Sequence, residues 1–129
     1  MAQIKIYGVK EQLNPIKGQL SDVIHSCVVD ALSFPKDKRA HRFFPLEADD
    51  FYYPAGRTSR YTIIEISMFE GRTVETKKHL IHLLFERVNQ ILGLRPDDLE
   101  VTITETPKSN WGFRGQTGDE IHLDYKVEL

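Results

Sequence analysis

The sequence predicts an α/β protein of the two-layer α+β type, with a four-stranded sheet that carries two helices on one face. Two observations support this class. Strand and helix patterns follow one another as strand–helix–strand, a loop, and strand–helix–strand again. The halves also match in spacing, because the helix-capping residues Asn14 and Thr73, and the helix-ending prolines Pro35 and Pro96, each lie about 60 positions apart. We interpret this as a duplicated β-α-β unit.

Length and composition limit the possible functions. The 129 residues predict a single domain over 1–129, with halves at about 1–60 and 61–129. A net charge of −2 with mixed signs predicts no nucleic-acid partner, and no apolar run is long enough to predict a membrane span. Cys27 is the only cysteine, so an internal disulfide is impossible, and no signal-like leader opens the chain. These features predict a cytoplasmic protein.

The first half begins with a clear strand pattern. "AQIKIYGV" alternates isoleucines with polar residues, which is typical of a strand buried on one face. Asn14 is then predicted to cap a helix that begins at Pro15, because both residue types are favoured at these positions. Pro35 ends this helix. "AHRFFPLE" is predicted as the second strand, with Pro45 favouring an edge of the sheet.

The second half repeats this order after a turn-rich loop, "ADDFYYPAGRTS". "YTIIEISMF" predicts the third strand, and Thr73 is predicted to cap the second helix, which Gly93 ends. "DLEVTITET" predicts the fourth strand, and "HLDYKVEL" at 122–129 predicts a short closing strand. Two helices cover only one face of such a sheet. The other face is mixed polar, so it meets either water or other copies of the chain.

Four arginines are candidates for binding an anion. Arg57 and Arg60 lie between the loop and the third strand, Arg72 follows that strand in "FEGRT", and Arg114 lies in "SNWGFRG". Ligands of open α/β sheets gather beyond the carboxyl ends of the strands, and an arginine there can hold a carboxylate with two hydrogen bonds. This favours anion binding at Arg72. For the other three arginines surface salt bridges are the stronger alternative.

The remaining candidate residues leave further alternatives open. Trp111 and Phe113 are either walls of a pocket or plugs of the core. His79 and His82 lie three positions apart on the second helix, but no further ligand accompanies them at a recognisable spacing, so we predict no metal site. Cys27 falls on the apolar stripe of the first helix and is predicted to pack there. No nucleotide-binding or nucleophile-elbow motif is present, and we predict no cofactor.

The segment "FEGRTVETKKHLIHLLFERVNQILGLRPDDLEVTITETPKSNWGFRG" resembles the half-unit of the tautomerase superfamily. The order strand, E-G-R, helix, strand ending in T-E, and aromatic-Gly-hydrophobic-x-Gly is similar to that of 4-oxalocrotonate tautomerase. The duplicated length and the "SNWGFRG" loop are similar to those of malonate semialdehyde decarboxylase. The resemblance implies two β-α-β units, a homotrimer with pockets near the subunit contacts, and polar sheet faces that turn inward in the assembly.

The resemblance also implies roles for individual residues. Family enzymes use an N-terminal proline amine as general base or acid, and here Ala2 takes the place of that proline. Removal of Met1 would expose a primary amine on Ala2. Arg72, Trp111 and Phe113 match family positions for a carboxylate-holding arginine and for pocket walls. The decarboxylase has a pair of arginines at the positions of Met68 and Glu70. Because this chain lacks that pair, the resemblance argues against decarboxylation.

The leading hypothesis is therefore keto–enol isomerisation, or a related proton transfer, on a small carboxylate-bearing carbonyl compound. Ala2 and Arg72 would be catalytic, and the substrate-binding residues would be Arg57, Arg60, Trp111, Phe113 and Arg114. A second hypothesis is a catalytically impaired trimer that binds a small carboxylate metabolite or a protein partner without turnover. A third is that the arginines only join subunits.

Overall fold

A mixed four-stranded sheet forms the centre of the molecule. The structure, a computed structural model, describes residues 2–123 and 126–127. The strands lie in the spatial order β2–β1–β3–β4. Their bounds are β1 Ala2–Val9, β2 His41–Leu46, β3 Thr62–Phe69 and β4 Leu99–Thr106. All four predicted strands are thus confirmed, and Pro45 lies in an edge strand as its missing N–H requires.

The two halves of the chain are built alike. In each half the two strands are parallel, and each residue pairs with the one 37 positions later: Ile4 with His41 in the first half, Thr62 with Leu99 in the second. The halves join through antiparallel β1 and β3, where Ala2 pairs with Met68. The predicted duplication of a β-α-β unit is confirmed.

Two long helices, α2 (Lys17–Leu32) and α3 (Val74–Leu92), pack side by side on one face of the sheet. The predicted cap of α3 is present, since the Thr73 hydroxyl accepts a hydrogen bond from the Thr76 amide at 3.2 Å. Gly93 ends α3 with φ 66°, a conformation that costs glycine little.

The predicted start of the first helix is wrong. The chain is already helical in a short helix, α1 (Lys10–Leu13), and Asn14 ends this helix with its amide bonded to the Lys10 carbonyl. Pro15 has no N–H to continue the hydrogen-bond series, so the chain turns before α2. The Asn14 side chain accepts a hydrogen bond from Lys17 Nζ at 3.3 Å instead of capping a helix.

One hydrophobic core fills the space between the helices and the sheet. Each strand contributes about every second residue to this core, as the alternating patterns predict, and the helices contribute the rest. Cys27 is buried among the helix residues, as predicted. The opposite face of the sheet carries Gln3, Lys5, Glu65 and other polar or aromatic side chains. No helix within residues 2–123 is both long and apolar enough to cross a membrane.

Short elements follow β2 and β4. A 3₁₀ helix, Ala48–Asp50, follows β2, and a second, Lys108–Asn110, follows β4. The tryptophan loop then forms a small hairpin of β5 (Gly112–Phe113) and β6 (Gln116–Thr117). The closing strand predicted at 122–129 is not formed by 122–123 or 126–127, and its other residues lie outside the described part of the chain.

Candidate functional site at one end of the sheet

One end of the sheet brings together most of the predicted site residues, and we call it the Phe69 end. Here β1 begins while β3 and β4 finish, because β1 runs antiparallel to β3. Ala2, the first residue of β1, is 5% exposed and lies opposite Met68 in the ladder. Arg72 and the tryptophan loop follow directly from β3 and β4. The start of β1, an arginine and two aromatic rings are therefore assembled at the Phe69 end.

Arg72 lies in the turn between β3 and α3. Its side chain is 5% exposed, and its Nη1 donates a hydrogen bond to the Phe69 carbonyl oxygen at 3.2 Å. Gly71, with φ 134°, lets the chain turn there. A guanidinium stays protonated even when buried, so a permanent positive charge is held at the end of β3 in a region of low dielectric constant.

Phe69, the last residue of β3, organises the aromatic rings of this end. Its ring is fully buried, with the Trp111 ring edge-to-face at 5.2 Å and the Phe113 ring tilted at 6.2 Å. Gly118 packs closely against the same ring, and its amide donates a hydrogen bond to the Trp111 carbonyl at 2.7 Å. Trp111 and Phe113 are only half-buried, so they combine both predicted alternatives: one side packs on the core and the other faces outward.

Arg114 lies at the tip of the β5–β6 hairpin in a left-handed conformation, φ 53°, which is costly for a residue with a side chain. Its guanidinium carbon stands 5.2 Å from the centre of the Phe113 ring, a cation–π distance. The same side chain lines a cavity of about 250 Å³ with residues 37–40, the segment that leads into β2. The hairpin therefore reaches from β4 across to the start of β2.

A second cavity, of about 280 Å³, opens on the polar face of the sheet at the same end. Residues that the sequence analysis did not single out supply most of its lining; the lining residues are Gln3, Ser67, Thr106, Asn110, Trp111 and Gly112. The polar residues among them alternate outward along the strands, which was the available sequence signal. Such a cavity offers hydrogen-bond donors and acceptors next to an aromatic wall.

An ion pair lies on the helix-covered side of this end. Lys77 Nζ in the first turns of α3 is 2.7 Å from Glu105 Oε1, and both side chains are about one-quarter exposed. Glu105 pairs with Met68 in the ladder, so Ala2, Met68 and Glu105 form one row across three strands. A carboxylate is therefore present in the row that contains Ala2.

Arg57 and Arg60 do not lie with the other predicted site residues. They precede β3, whereas Arg72 follows it, and an eight-residue strand is about 26 Å long. Arg60 donates hydrogen bonds to the Leu92 and Gly93 carbonyls at 3.0 and 3.1 Å, so it caps the C-terminus of α3. Within one chain both arginines are thus separated from the Phe69 end by the length of β3.

The end of the sheet that contains Arg57 and Arg60 holds two titratable groups with shifted pKa values. Burial, together with a 2.8 Å hydrogen bond to Glu100, raises the pKa of Tyr61 to about 12. Burial alone would raise the pKa of Asp98, but hydrogen bonds from the Thr58 amide and hydroxyl, each 2.7 Å, outweigh it and lower that pKa. Both groups keep their ordinary neutral-pH charge states and hold the loop to the sheet.

The histidines show no metal-binding arrangement. His79 and His82 are both exposed on α3, and within 2–123 and 126–127 no three histidine, cysteine or acidic side chains are grouped as metal ligands would be. His41 is a residue that sequence reasoning missed. Burial and the neighbouring Arg39 charge lower its pKa to about 4, and its Nδ1 lies 2.8 Å from the Ser21 hydroxyl.

Comparison with known proteins identifies the class to which this chain belongs. The family model described as "Tautomerase enzyme" matches residues 38–114, more than half of the chain. The chain is therefore a member of the tautomerase family. This confirms the resemblance drawn from "FEGRT" and "SNWGFRG".

Individual relatives agree with this assignment. The chain is 26% identical to the probable tautomerase YusQ of Bacillus subtilis over 100 residues, which are 74% of this chain and 79% of YusQ. It is 35% identical to a 2-hydroxymuconate tautomerase of Pseudomonas putida over 57 residues, which are 44% of this chain but 90% of that enzyme. A protein about as long as one β-α-β unit thus matches just under half of this chain, as a duplicated chain requires.

Solved structures share the fold. Malonate semialdehyde decarboxylase superposes with a TM-score of 0.80 at 22% identity, over 88% of this chain and 92% of the decarboxylase. A fused 4-OT that forms an asymmetric trimer superposes with a TM-score of 0.79 at 22% identity, over 92% of this chain and 97% of that one.

Proposed function

We propose that this tautomerase-family protein catalyses keto–enol isomerisation, or a related proton transfer next to a carbonyl, on a small substrate that carries a carboxylate. The observation that carries the proposal is the position of Arg72. Its buried guanidinium binds the carbonyl of Phe69, the last residue of β3, which follows the residue paired with Ala2 and packs against Trp111. A buried positive charge stabilises the negative oxygen that forms when a proton leaves the α-carbon.

The proton-transferring group in this proposal is the amine of Ala2. Once Met1 is removed, Ala2 would carry a primary amine, whose ordinary pKa is about 8. Burial of the residue disfavours the charged form of such an amine, which favours its role as a base in this proposal. The amine would take a proton from the α-carbon and deliver it to the carbonyl oxygen, which gives the enol; ketonisation is the reverse.

The aromatic residues and Arg114 would form the substrate-binding wall. Trp111 and Phe113 are half-buried and pack on Phe69, so the part of their rings that stays accessible can exclude water from one side of a small substrate. Arg114 lies over the Phe113 ring and offers a second positive charge, which lines the cavity beside residues 37–40. We do not place Arg57 or Arg60 in the same chain's site, because β3 separates them from it.

The assembly and location of the protein are further parts of the proposal. A homotrimer is supported by the trimeric fused 4-OT that shares the fold and by the polar sheet face, which the helices leave uncovered. A neighbouring subunit would then cover the cavity next to Gln3. The cytoplasmic location predicted by the sequence stays a prediction.

A kinetic experiment tests the mechanism. Intact-mass measurement of the purified protein first establishes whether Met1 is removed. Ketonisation of phenylpyruvate enol is then followed by ultraviolet absorbance for the wild type, for Arg72→Gln and for Arg95→Ala, an exposed-arginine control. We expect Arg72→Gln to lower kcat/KM by about 100-fold or more, as removal of one oxyanion-stabilising group does, while Arg95→Ala stays within about twofold.

Two results would contradict the mechanism: a retained Met1 in an active protein, or equal rates for Arg72→Gln and the wild type. If the wild type shows no turnover but small carboxylates raise its Tm, the protein is the non-catalytic binder. Thermal unfolding of each variant separates a loss of chemistry from a loss of folded protein.

A further inference from the structure

The opposite end of the sheet repeats the architecture of the Phe69 end. It is organised around Val9, 60 positions before Phe69, and we call it the Val9 end. The 3₁₀ helices Ala48–Asp50 and Lys108–Asn110 are also 60 positions apart, and each is followed by an aromatic-x-aromatic triplet, 51–53 or 111–113. β2 and β4 end at residues 46 and 106. The duplication therefore repeats the strand ends, the 3₁₀ helix and the aromatic triplet at both ends, whereas the turn that carries Arg72 after β3 is replaced by α1 after β1.

The ring clusters at the two ends correspond at two positions, Phe51 with Trp111 and Tyr53 with Phe113, whereas Val9 stands in place of the Phe69 ring and Tyr61 has no aromatic counterpart. At the Phe69 end, Trp111 and Phe113 pack on Phe69. At the Val9 end, Phe51 and Tyr61 pack on Val9, and Phe51, Tyr53 and Tyr61 contact one another at ring distances of 5.8 to 6.5 Å. Phe51 is 9% exposed, whereas its counterpart Trp111 is half-buried. Tyr53, in contrast, is 39% exposed and its counterpart Phe113 is half-buried, so the Val9 end is the more closed of the two only at the Phe51 position.

Three of the residues that line the 280 Å³ cavity at the Phe69 end are replaced by larger apolar residues at the equivalent positions of the Val9 end. Gln3, Ser67 and Thr106 line the 280 Å³ cavity at the Phe69 end. Their counterparts 60 positions away are Ile63, Tyr7 and Leu46, all of which pack as partly buried apolar side chains against the cluster of Val9, Phe51 and Tyr61. Larger apolar groups thus occupy the places where small or polar groups line a cavity.

A positive charge is also present at the Val9 end, at a different position from that of Arg72, whose counterpart is Gln12. The Nε of Arg57 is buried and has no hydrogen-bond partner among the residues that the structure describes. Arg57 lies in the turn between Tyr53 and Tyr61, where its amide donates a hydrogen bond to the Pro54 carbonyl at 3.3 Å, so the arginine belongs to the loop that carries the ring cluster. Rings that would enclose an aromatic ligand and a cation that would hold its carboxylate are therefore adjacent.

We propose that the Val9 end is a second copy of the binding site, closed by its own side chains, which takes an aromatic carboxylate once these fillers are removed. Each chain then has one open site and one closed site. Tyr7, Leu46 and Ile63 act as the fillers, Tyr61 completes the plug, and Arg57 supplies the anion-binding group. The inference rests on the framework common to both ends and does not require the open site to be catalytic.

Exchanging the fillers for their counterparts tests the proposal. The variant Tyr7→Ser/Leu46→Thr/Ile63→Gln gives the Val9 end the residues of the Phe69 end. Crystals of this variant and of the wild type are soaked with benzoate, and the bound molecules are counted for each end. We expect one additional benzoate per chain in the variant, seated against Phe51 with its carboxylate on Arg57. Tyr52→Gly, which removes an 89% exposed ring, is the matched control and should add none.

Benzoate bound at the Val9 end of the wild type would overturn the claim that this copy is closed. A variant whose rings collapse into the space without binding benzoate would overturn the claim that it is a copy of the site. If the triple variant does not fold, Tyr61→Ala decides: benzoate must raise its Tm more than that of the wild type, and an equal rise refutes the proposal. Failure of the proposed catalytic function is a separate result, because it leaves this count unchanged.

Discussion

Removing the Phe69 ring should both destabilise the protein and loosen its aromatic wall. The ring is fully buried and contacts Trp111, Phe113 and Gly118. Phe→Ala changes at such positions cost about 3–5 kcal/mol, and the edge-to-face pair with Trp111 places Phe69→Ala in the upper half of that range. With an unfolding entropy of about 2.1 cal/mol/K per residue, 129 residues give about 0.27 kcal/mol/K. The expected fall in Tm is therefore about 15–18 °C.

Two probes measure this change on the same sample. Far-UV circular dichroism follows the thermal unfolding, and fluorescence reports the loop directly because Trp111 is the only tryptophan. Phe69→Ala should shift the native emission to longer wavelength, since the indole loses its buried partner. Tyr52→Ala, which removes an 89% exposed ring, is the control at equal protein concentration. If Phe69→Ala costs no more than this control, or leaves the emission unchanged, Phe69 does not hold the wall.

Three further predictions concern the supports of the fold. Arg60→Ala should cost about 1–2 kcal/mol in urea unfolding, because the last carbonyls of α3 lose two charged donors. Gly118→Ala should cost about 1–3 kcal/mol and shift the tryptophan emission, because a Cβ there would lie 2.5 Å from the Lys108 carbonyl oxygen. Asp98 has a pKa below its unfolded value of about 3.9, so its stabilisation is present above that pH and is lost as the pH falls below it; acid titration of Asp98→Asn should therefore show a shallower loss of stability than that of the wild type.

Periodic patterns were sufficient to predict the sheet and the α3 helix. Strands with one buried face require alternation, and α3 carries both a capping threonine and a terminating glycine. The start of the first helix failed because local preference is only one of the forces there. Leu13 is 1% exposed, and its burial favours a helical turn before Asn14, which the cap signal of Asn14 and Pro15 does not reveal.

The candidate site was predictable only in part. Arg72 and the tryptophan loop lie at the same end of the sheet because each follows one of two parallel strands, β3 or β4. The same reasoning places Arg57 and Arg60 at the opposite end of the sheet, because they precede β3. All four arginines carry the same charge, and the direction of the strands is what separates them within one chain.

The position of Ala2 depends on a contact that neither half-unit determines by itself. Each β-α-β half fixes only its own parallel pair, whereas β1 reaches β3 through antiparallel pairing between the halves. This pairing reverses the direction of β1 relative to β3, so the first residue of one half meets the last residues of the other. The site at the Phe69 end is thus formed by both halves together: the start of the first unit, and the arginine and aromatic loop of the second. A single unit would have to obtain the same combination from another chain.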